Sequence, residues 1–358
     1  MLLRIQSLFL LLALFHTHTT LAQHQSGYTK EEIFEQAKRE FEAFEREHGH
    51  FIQMPNVKMH YLTWGDSSDM PLVWSHGSFS NGYELRYIAD SLVAVGYYVI
   101  AIDYYGHGQT PIPEKEVSLY HIADDIKYLM DSLNIERAVV GGWSRGGYIS
   151  TAFYDAYPER TLGLILEDGG SVATNYNYHR LDDDSLTQLI ASFEVEKYVK
   201  ADTTFSSEQA AFFSLYDQSD TTTQFHWLSY IEKVSEKEWA ANPGLFELFH
   251  NASTEQIIKT ILRPASFPLF ATSMALIEPR IIFRNLDVPV LILDATHQGD
   301  IFPFEQANHT LQRNHPDLIE HIVYENTGHG IHYERPKRFV QDLEEFLVQV
   351  KSYHKLYQ

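Results

Sequence analysis

Residues 138–147 read AVVGGWSRGG, and this stretch decides the fold. Ala138-Val139-Val140 is an apolar run, two glycines carry it into Trp143-Ser144, and Arg145-Gly146-Gly147-Tyr148-Ile149 opens a helical segment. Five residues of the form GxSxG say little alone, because an ordinary strand-to-helix turn can carry them. In the order strand, turn, helix they describe a sharp bend that lifts a serine off the end of a strand, with glycines relieving the crowding on either side. Ser144 is therefore a candidate nucleophile.

Working outward, the runs FIQMP (51–55), VKMHYLTWG (57–65), PLVWSHG (71–77), YYVIAID (97–103) and LGLILED (162–168) read as strands. Between them Leu85, Ile88, Leu92 and Val95, and then Ile122, Ile126, Leu129 and Leu133, recur at helical spacing, the first set ending at Gly96. Nearly continuous apolar strands alternating with amphipathic helices indicate a parallel sheet covered on both faces, an α/β architecture. Ahead of them, Thr29 with Glu32 is a capping-box pattern; Phe34, Ala37, Phe41 and Phe44 then form one stripe of a leading helix expected to pack on the outside. From Ser171 to Arg284 the alternation stops, and Trp227, Tyr230, Ile231 and Val234 at i, i+3, i+4 and i+7 suggest a helical insertion. The α/β pattern resumes with VPVLILDAT (288–296), a helix near Phe304–Gln312, IEHIVYE (319–325) and a closing helix from Pro336. The expected organisation is a leader at 1–22, a core at 23–170, a helical cap at 171–284 and the rest of the core at 285–358.

A serine nucleophile needs a base that titrates near neutrality, and Asn326-Thr327-Gly328-His329-Gly330, between the last strand and the last helix, offers His329. His332 is the neighbouring alternative, read as a packed loop residue. An orienting carboxylate is expected after VPVLILD, which favours Asp300; Asp294 at the end of that run and Asp168 after LGLILE also qualify. The chain order serine, acid, histidine separates this arrangement from other serine-triad folds.

At these residues the chain resembles the α/β-hydrolase superfamily, in the cap-bearing branch that includes esterases, epoxide hydrolases, haloalkane dehalogenases and proline iminopeptidases. The resemblance runs from about Phe51 to the C-terminus and takes in His76-Gly77-Ser78 and Asp103-Tyr104-Tyr105-Gly106-His107-Gly108. It implies an α/β-hydrolase fold with an inserted helical cap, and an oxyanion hole made by the backbone amides of Ser78 and Arg145, with His76 and His107 structural. Epoxide hydrolases and dehalogenases of this branch use an aspartate nucleophile, so Ser144 argues against those activities. The elbow GGWSRGG also differs from that of proline iminopeptidases.

Composition narrows the partners. With 27 Lys and Arg against 48 Asp and Glu, the formal charge of -21 repels nucleic acid and anionic membranes. Arg4, the apolar run Leu8–Phe15 and Thr20-Leu21-Ala22 read as an export signal cleaved before Gln23, too short to anchor the chain in a membrane. Zero cysteines exclude disulfides, thiolate catalysis and cysteine-ligated zinc. No HExxH or GxGxxG pattern calls for a metal or nucleotide cofactor, despite 19 histidines. The sequence thus points to an exported, cofactor-free serine hydrolase acting on a small or medium-sized substrate, an ester by preference. An aminopeptidase-like enzyme, a carbon-carbon hydrolase or lyase on the same triad, and a non-catalytic binding protein are the alternatives.

Overall fold

A computed structural model describes residues 28–176, 181–191, 204–220, 222–241, 269–298, 300 and 303–356. The expected leader, residues 1–22, lies outside them. Helix α1 (Lys30–His48) leads, its Thr29 cap and Glu32 closing the expected capping box. It is followed by β1 (Gly49–Gln53), β2 (Lys58–Trp64), β3 (Met70–Ser75), α2 (Ala89–Ala94) and β4 (Tyr97–Ile102). Next come α3 (Leu119–Ser132), β5 (Ala138–Trp143), α4 (Arg145–Ala156) and β6 (Thr161–Glu167).

The insertion contributes α5 (Asp183–Ala191), β7 (Thr204–Phe205), α6 (Glu208–Leu215), β8 (Ile231–Ser235), β9 (Glu238–Ala241) and α7 (Leu269–Leu276). Then β10 (Val290–Thr296), α8 (Glu305–Asn314), β11 (Ile319–Glu325) and α9 (Pro336–Leu356) complete the core.

Eight strands form the main sheet in the order β1-β2-β4-β3-β5-β6-β10-β11. The pairs β1–β2 and β2–β4 are antiparallel and every other pair is parallel. Alternate residues feed two cores. Val73, Val140 and Ile292 pack with Ile122, Ile126, Ile149 and Phe153 from α3 and α4; Leu72, Val139 and Leu293 pack with Leu92, Phe339, Leu343 and Phe346 from α2 and α9. Burial on both faces is what made these strands continuously apolar in sequence.

One expectation needs correction. Tyr230, Ile231 and Val234 do not continue a helix: a 3-10 turn (Phe225–Tyr230) runs into β8, which pairs antiparallel with β9 across Glu236-Lys237, and β7 completes a three-stranded sheet. The apolar spacing fitted one helical face, but four of the five β8 residues are exposed, so no helical stripe is buried there. Helix α1 lies on the outside as expected, with one face covered. Phe34 and Ala37 are buried against Phe212 and Leu228 of the insertion, so this helix braces the insertion against the core.

Candidate active site

Ser144 sits between β5 and α4 with φ 53° and ψ -116°, a strained conformation for a residue with a Cβ. The bend demands the flanking glycines. A Cβ on Gly146 would lie 1.8 Å from the Ser75 carbonyl oxygen, and one on Gly142 would lie 2.3 Å from the carbonyl carbon of Gly146. Ser144 is half-buried while its neighbours 141–143 and 145–150 are buried, so this side chain is the one the bend leaves open.

The carboxylate comes from the adjacent strand. The Ser144 amide donates to the Glu167 carbonyl at the end of β6 (2.8 Å), and Asp168 follows. Asp168 Oδ2 pairs with His329 Nδ1 at 2.5 Å, and its amide donates to the Leu293 carbonyl (2.8 Å). Burial raises its carboxyl to about 6 even against the opposing pull of His329. His329, in the loop after β11, is drawn back to the elbow by Trp143, whose indole Nε1 donates to the His329 carbonyl (2.7 Å). Ser144, Asp168 and His329 thus converge at the C-terminal ends of parallel strands, the usual place for a site in an open α/β sheet.

The described carboxylate bond to His329 is made by Asp168, one of the two alternatives the sequence offered beside the favoured Asp300. Strand β6, which leads to Asp168, lies beside β5 and its elbow, while β10, which leads to Asp300, lies beside β11, whose following loop carries His329, so strand order alone does not choose between the two acids. Asp300 closes a turn through its amide onto the His297 carbonyl (3.1 Å), near enough for its charge to push Asp168 upward. Asp294 is buried and turned elsewhere: its Oδ2 accepts from Asn308 Nδ2 and pairs with His321 Nε2, each at 2.9 Å.

Reading the sequence missed a second clasp beside the first. His332, read from the sequence as a packed loop residue, is buried as expected, but its Nδ1 also pairs with both Glu167 oxygens at 2.8 and 2.9 Å while its amide donates to Oε1 (3.0 Å). Consecutive acids at the end of β6 therefore hold two histidines three residues apart. The signal was present as Glu167-Asp168, two charges closing an apolar strand.

Across the elbow, Ser78 lies in the loop after β3. Gly77 is fixed from several sides: its amide donates to Glu84 Oε2 (3.3 Å), and its carbonyl accepts from Tyr104 Oη (3.1 Å) and lies 2.7 Å from His76 Nδ1. His76 stacks on Tyr104 with ring centroids 3.8 Å apart. Burial pushes His76 well down and His107 down to about 4, which keeps both rings neutral and suits structural roles. Glu84, whose Oε1 accepts from Trp74 Nε1 (2.6 Å), is raised to about 7, burial outweighing the nearby His332. Among the described residues, no cluster of three or more His, Asp or Glu could hold a metal ion, and no helix is long and apolar enough to cross a membrane.

A family model described as alpha/beta hydrolase fold matches residues 71–336. The chain therefore belongs to the α/β-hydrolase family. Among curated proteins it is 25% identical over 285 residues to AB hydrolase superfamily protein YisY of Bacillus subtilis, covering 77% of this chain and 91% of that one. It is 28% identical over 119 residues to bifunctional epoxide hydrolase 2 of Sus scrofa, a match covering 33% of this chain and only 21% of the relative. Among solved structures, a carboxylesterase from Nitrososphaera gargenis superposes with a TM-score of 0.56 at 19% identity, over 85% of this chain and 99% of the other.

Proposed function

We propose that the chain is a serine hydrolase that cleaves a small or medium-sized ester through an acyl-enzyme on Ser144. The observation that carries this reading is the convergence of Ser144, strained at its elbow, with the 2.5 Å His329–Asp168 pair. In this reading His329 takes the Ser144 proton as Oγ attacks the ester carbonyl, and Asp168 holds the imidazole tautomer and stabilises the imidazolium. The contact between Oγ and Nε2 is the one the substrate complex must close. Amides of Ser78 and Arg145 stabilise the oxyanion; collapse expels the alcohol, which takes the proton back from His329. Water activated by the same imidazole then attacks the acyl-enzyme and releases the acid.

The insertion, running from the end of β6 to β10, serves as the cap over this site, and residues 1–22 direct the chain to export. No cofactor enters the scheme. An epoxide-hydrolase chemistry does not follow from the porcine relative, since a serine stands where that mechanism needs a carboxylate nucleophile.

The test is a labelling experiment followed by a substrate comparison. A fluorophosphonate should modify Ser144 in the native chain and leave Ser144→Ala untouched. Short-chain p-nitrophenyl esters should then show a higher kcat/KM than amino-acid p-nitroanilides. Labelling with a preference for anilides would move the reading to an aminopeptidase, labelling without cleavage of either series to carbon-carbon bond chemistry, and no labelling to a binding role.

A further inference from the structure

The Arg145 side chain does something separate from its backbone amide. It begins α4 immediately after Ser144, yet it is 4% exposed and turns back towards the β3 loop, where Nε donates to Ser78 Oγ at 2.9 Å. Its guanidinium carbon lies 5.2 Å from the centre of the Phe270 ring. A planar guanidinium packed in this way offers a donor of fixed direction, which a flexible ammonium could not.

The Ser78 loop needs such a tie. The bond from Glu84 ends at Gly77, one residue short of the Ser78 amide, and Tyr104 reaches the Gly77 carbonyl and the Ser78 side chain but not that amide. On the other side Phe79 has φ 64°, unfavourable for a residue with a Cβ, and is 47% exposed. The Ser78 hydroxyl, held by Arg145 and also reached by Tyr104, lies between the firmly held Gly77 and the strained, open Phe79.

We propose that the Arg145 side chain is a positioning residue: by bonding Ser78 Oγ it couples the loop carrying one oxyanion amide to the helix start carrying the other. The proposal rests on the serine-hydrolase reading. Oxyanion stabilisation depends on donors standing within a few tenths of an ångström of the developing charge before the reaction begins. Losing the tie leaves both amides in the protein but lets their separation drift. The loss then appears in transition-state stabilisation and leaves ground-state binding alone.

The experiment is a double-mutant cycle on p-nitrophenyl acetate with Ser78→Ala, Arg145→Gln and both together, with Ser78→Thr as the conservative variant. Ser78→Ala and Arg145→Gln should each lower kcat about 10-fold, a fraction of the ~10²–10³ lost when a donor is removed outright. KM should move by no more than about 2-fold, and the double variant should be no slower than the worse single, as expected for residues acting as one unit. Ser78→Thr, which keeps the hydroxyl, should recover most of the kcat lost in Ser78→Ala. Affinity for a boronic acid that mimics the tetrahedral intermediate should fall in step with kcat. Multiplying effects in the double variant, losses confined to KM, or Ser78→Thr as slow as Ser78→Ala would each overturn the proposal. Should Arg145→Gln not fold, the two Ser78 variants and their boronic-acid affinities decide alone. Fluorophosphonate labelling of the native chain separates the two failures: without it the serine-hydrolase reading fails, whereas labelling with independent effects defeats only the positioning role.

Discussion

At Ser144 the backbone is held where a Cβ is unwelcome, at a cost of about 1–3 kcal/mol. That strain separates two variants that share one catalytic defect. Ser144→Gly and Ser144→Ala should both lower kcat by about 10⁴-fold or more, but the glycine variant, relieved of the Cβ, should melt at a higher temperature in calorimetry. Equal melting temperatures would mean that the elbow stores no strain. For the carboxylate, Asp168→Asn should lower kcat by about 10³–10⁴-fold, as loss of the orienting acid does in serine triads, while Asp300→Asn should cost about 10-fold at most, since the effect of its charge on Asp168 is coulombic and small beside burial. A reversed ranking in steady-state kinetics would return the role to Asp300. Because burial raises Asp168 to about 6, activity should fall as pH is lowered through that value, where the carboxylate takes up a proton and releases His329. A kcat/KM profile flat between pH 5 and 7 would contradict the pairing.

The secondary elements work in pairs. The end of β6 supplies Glu167 and Asp168 to His332 and His329, so one strand terminus fixes the short loop that carries the base. On the opposite edge α1 joins the insertion to the core: Phe34 meets Phe212 with centroids 5.5 Å apart, Lys38 pairs with Glu208 at 3.0 Å, and Thr223 donates to Glu40. The half-buried ion pair adds less than the buried rings, which dominate. Phe34→Ala should therefore destabilise the protein by about 3 kcal/mol, with hydrogen exchange rising first in residues 208–230 and later in β5. Uniform acceleration across both regions would show that α1 supports the whole fold instead of the insertion.

For the molecule as a whole, a second titration that bears on stability lies away from the site. His60 on β2 is buried between Asp103 (2.7 Å) and Glu45 of α1 (3.2 Å); Glu45 also accepts from Tyr83. Burial pulls His60 down, but the two carboxylates prevail and push it up to about 9. A folded-state value above the unfolded one of about 6.5 means that the protonated form favours the native state. This contribution is complete below pH 6.5 and is lost as pH rises through 9. Melting temperatures should fall across that window, and Asp103→Asn should lower stability at pH 7 by about 3 kcal/mol while flattening the alkaline decline. An unchanged alkaline slope in Asp103→Asn would place the titration elsewhere. Much of the architecture was legible in the sequence, because period-2 burial on two faces and helical stripes such as Ile122, Ile126 and Leu129 are local consequences of the α/β layers. The elbow was legible as well, since only glycine fits where Gly146 meets Ser75. Three features were decided by tertiary structure. The bond of Asp168 to His329 joins residues 161 positions apart, a long-range contact that no local pattern encodes. The β8–β9 hairpin arose where the apolar spacing fitted a helix alone, since Ile231 and Val234 fall on opposite faces of β8, and strand pairing with β9 overrode that pattern. Last, α1 was recognisable from its cap and stripe, but nothing in them tells that Phe34 meets Phe212 in a segment some 170 residues further along the chain while Phe44 packs on Trp64 and Tyr83 of the core.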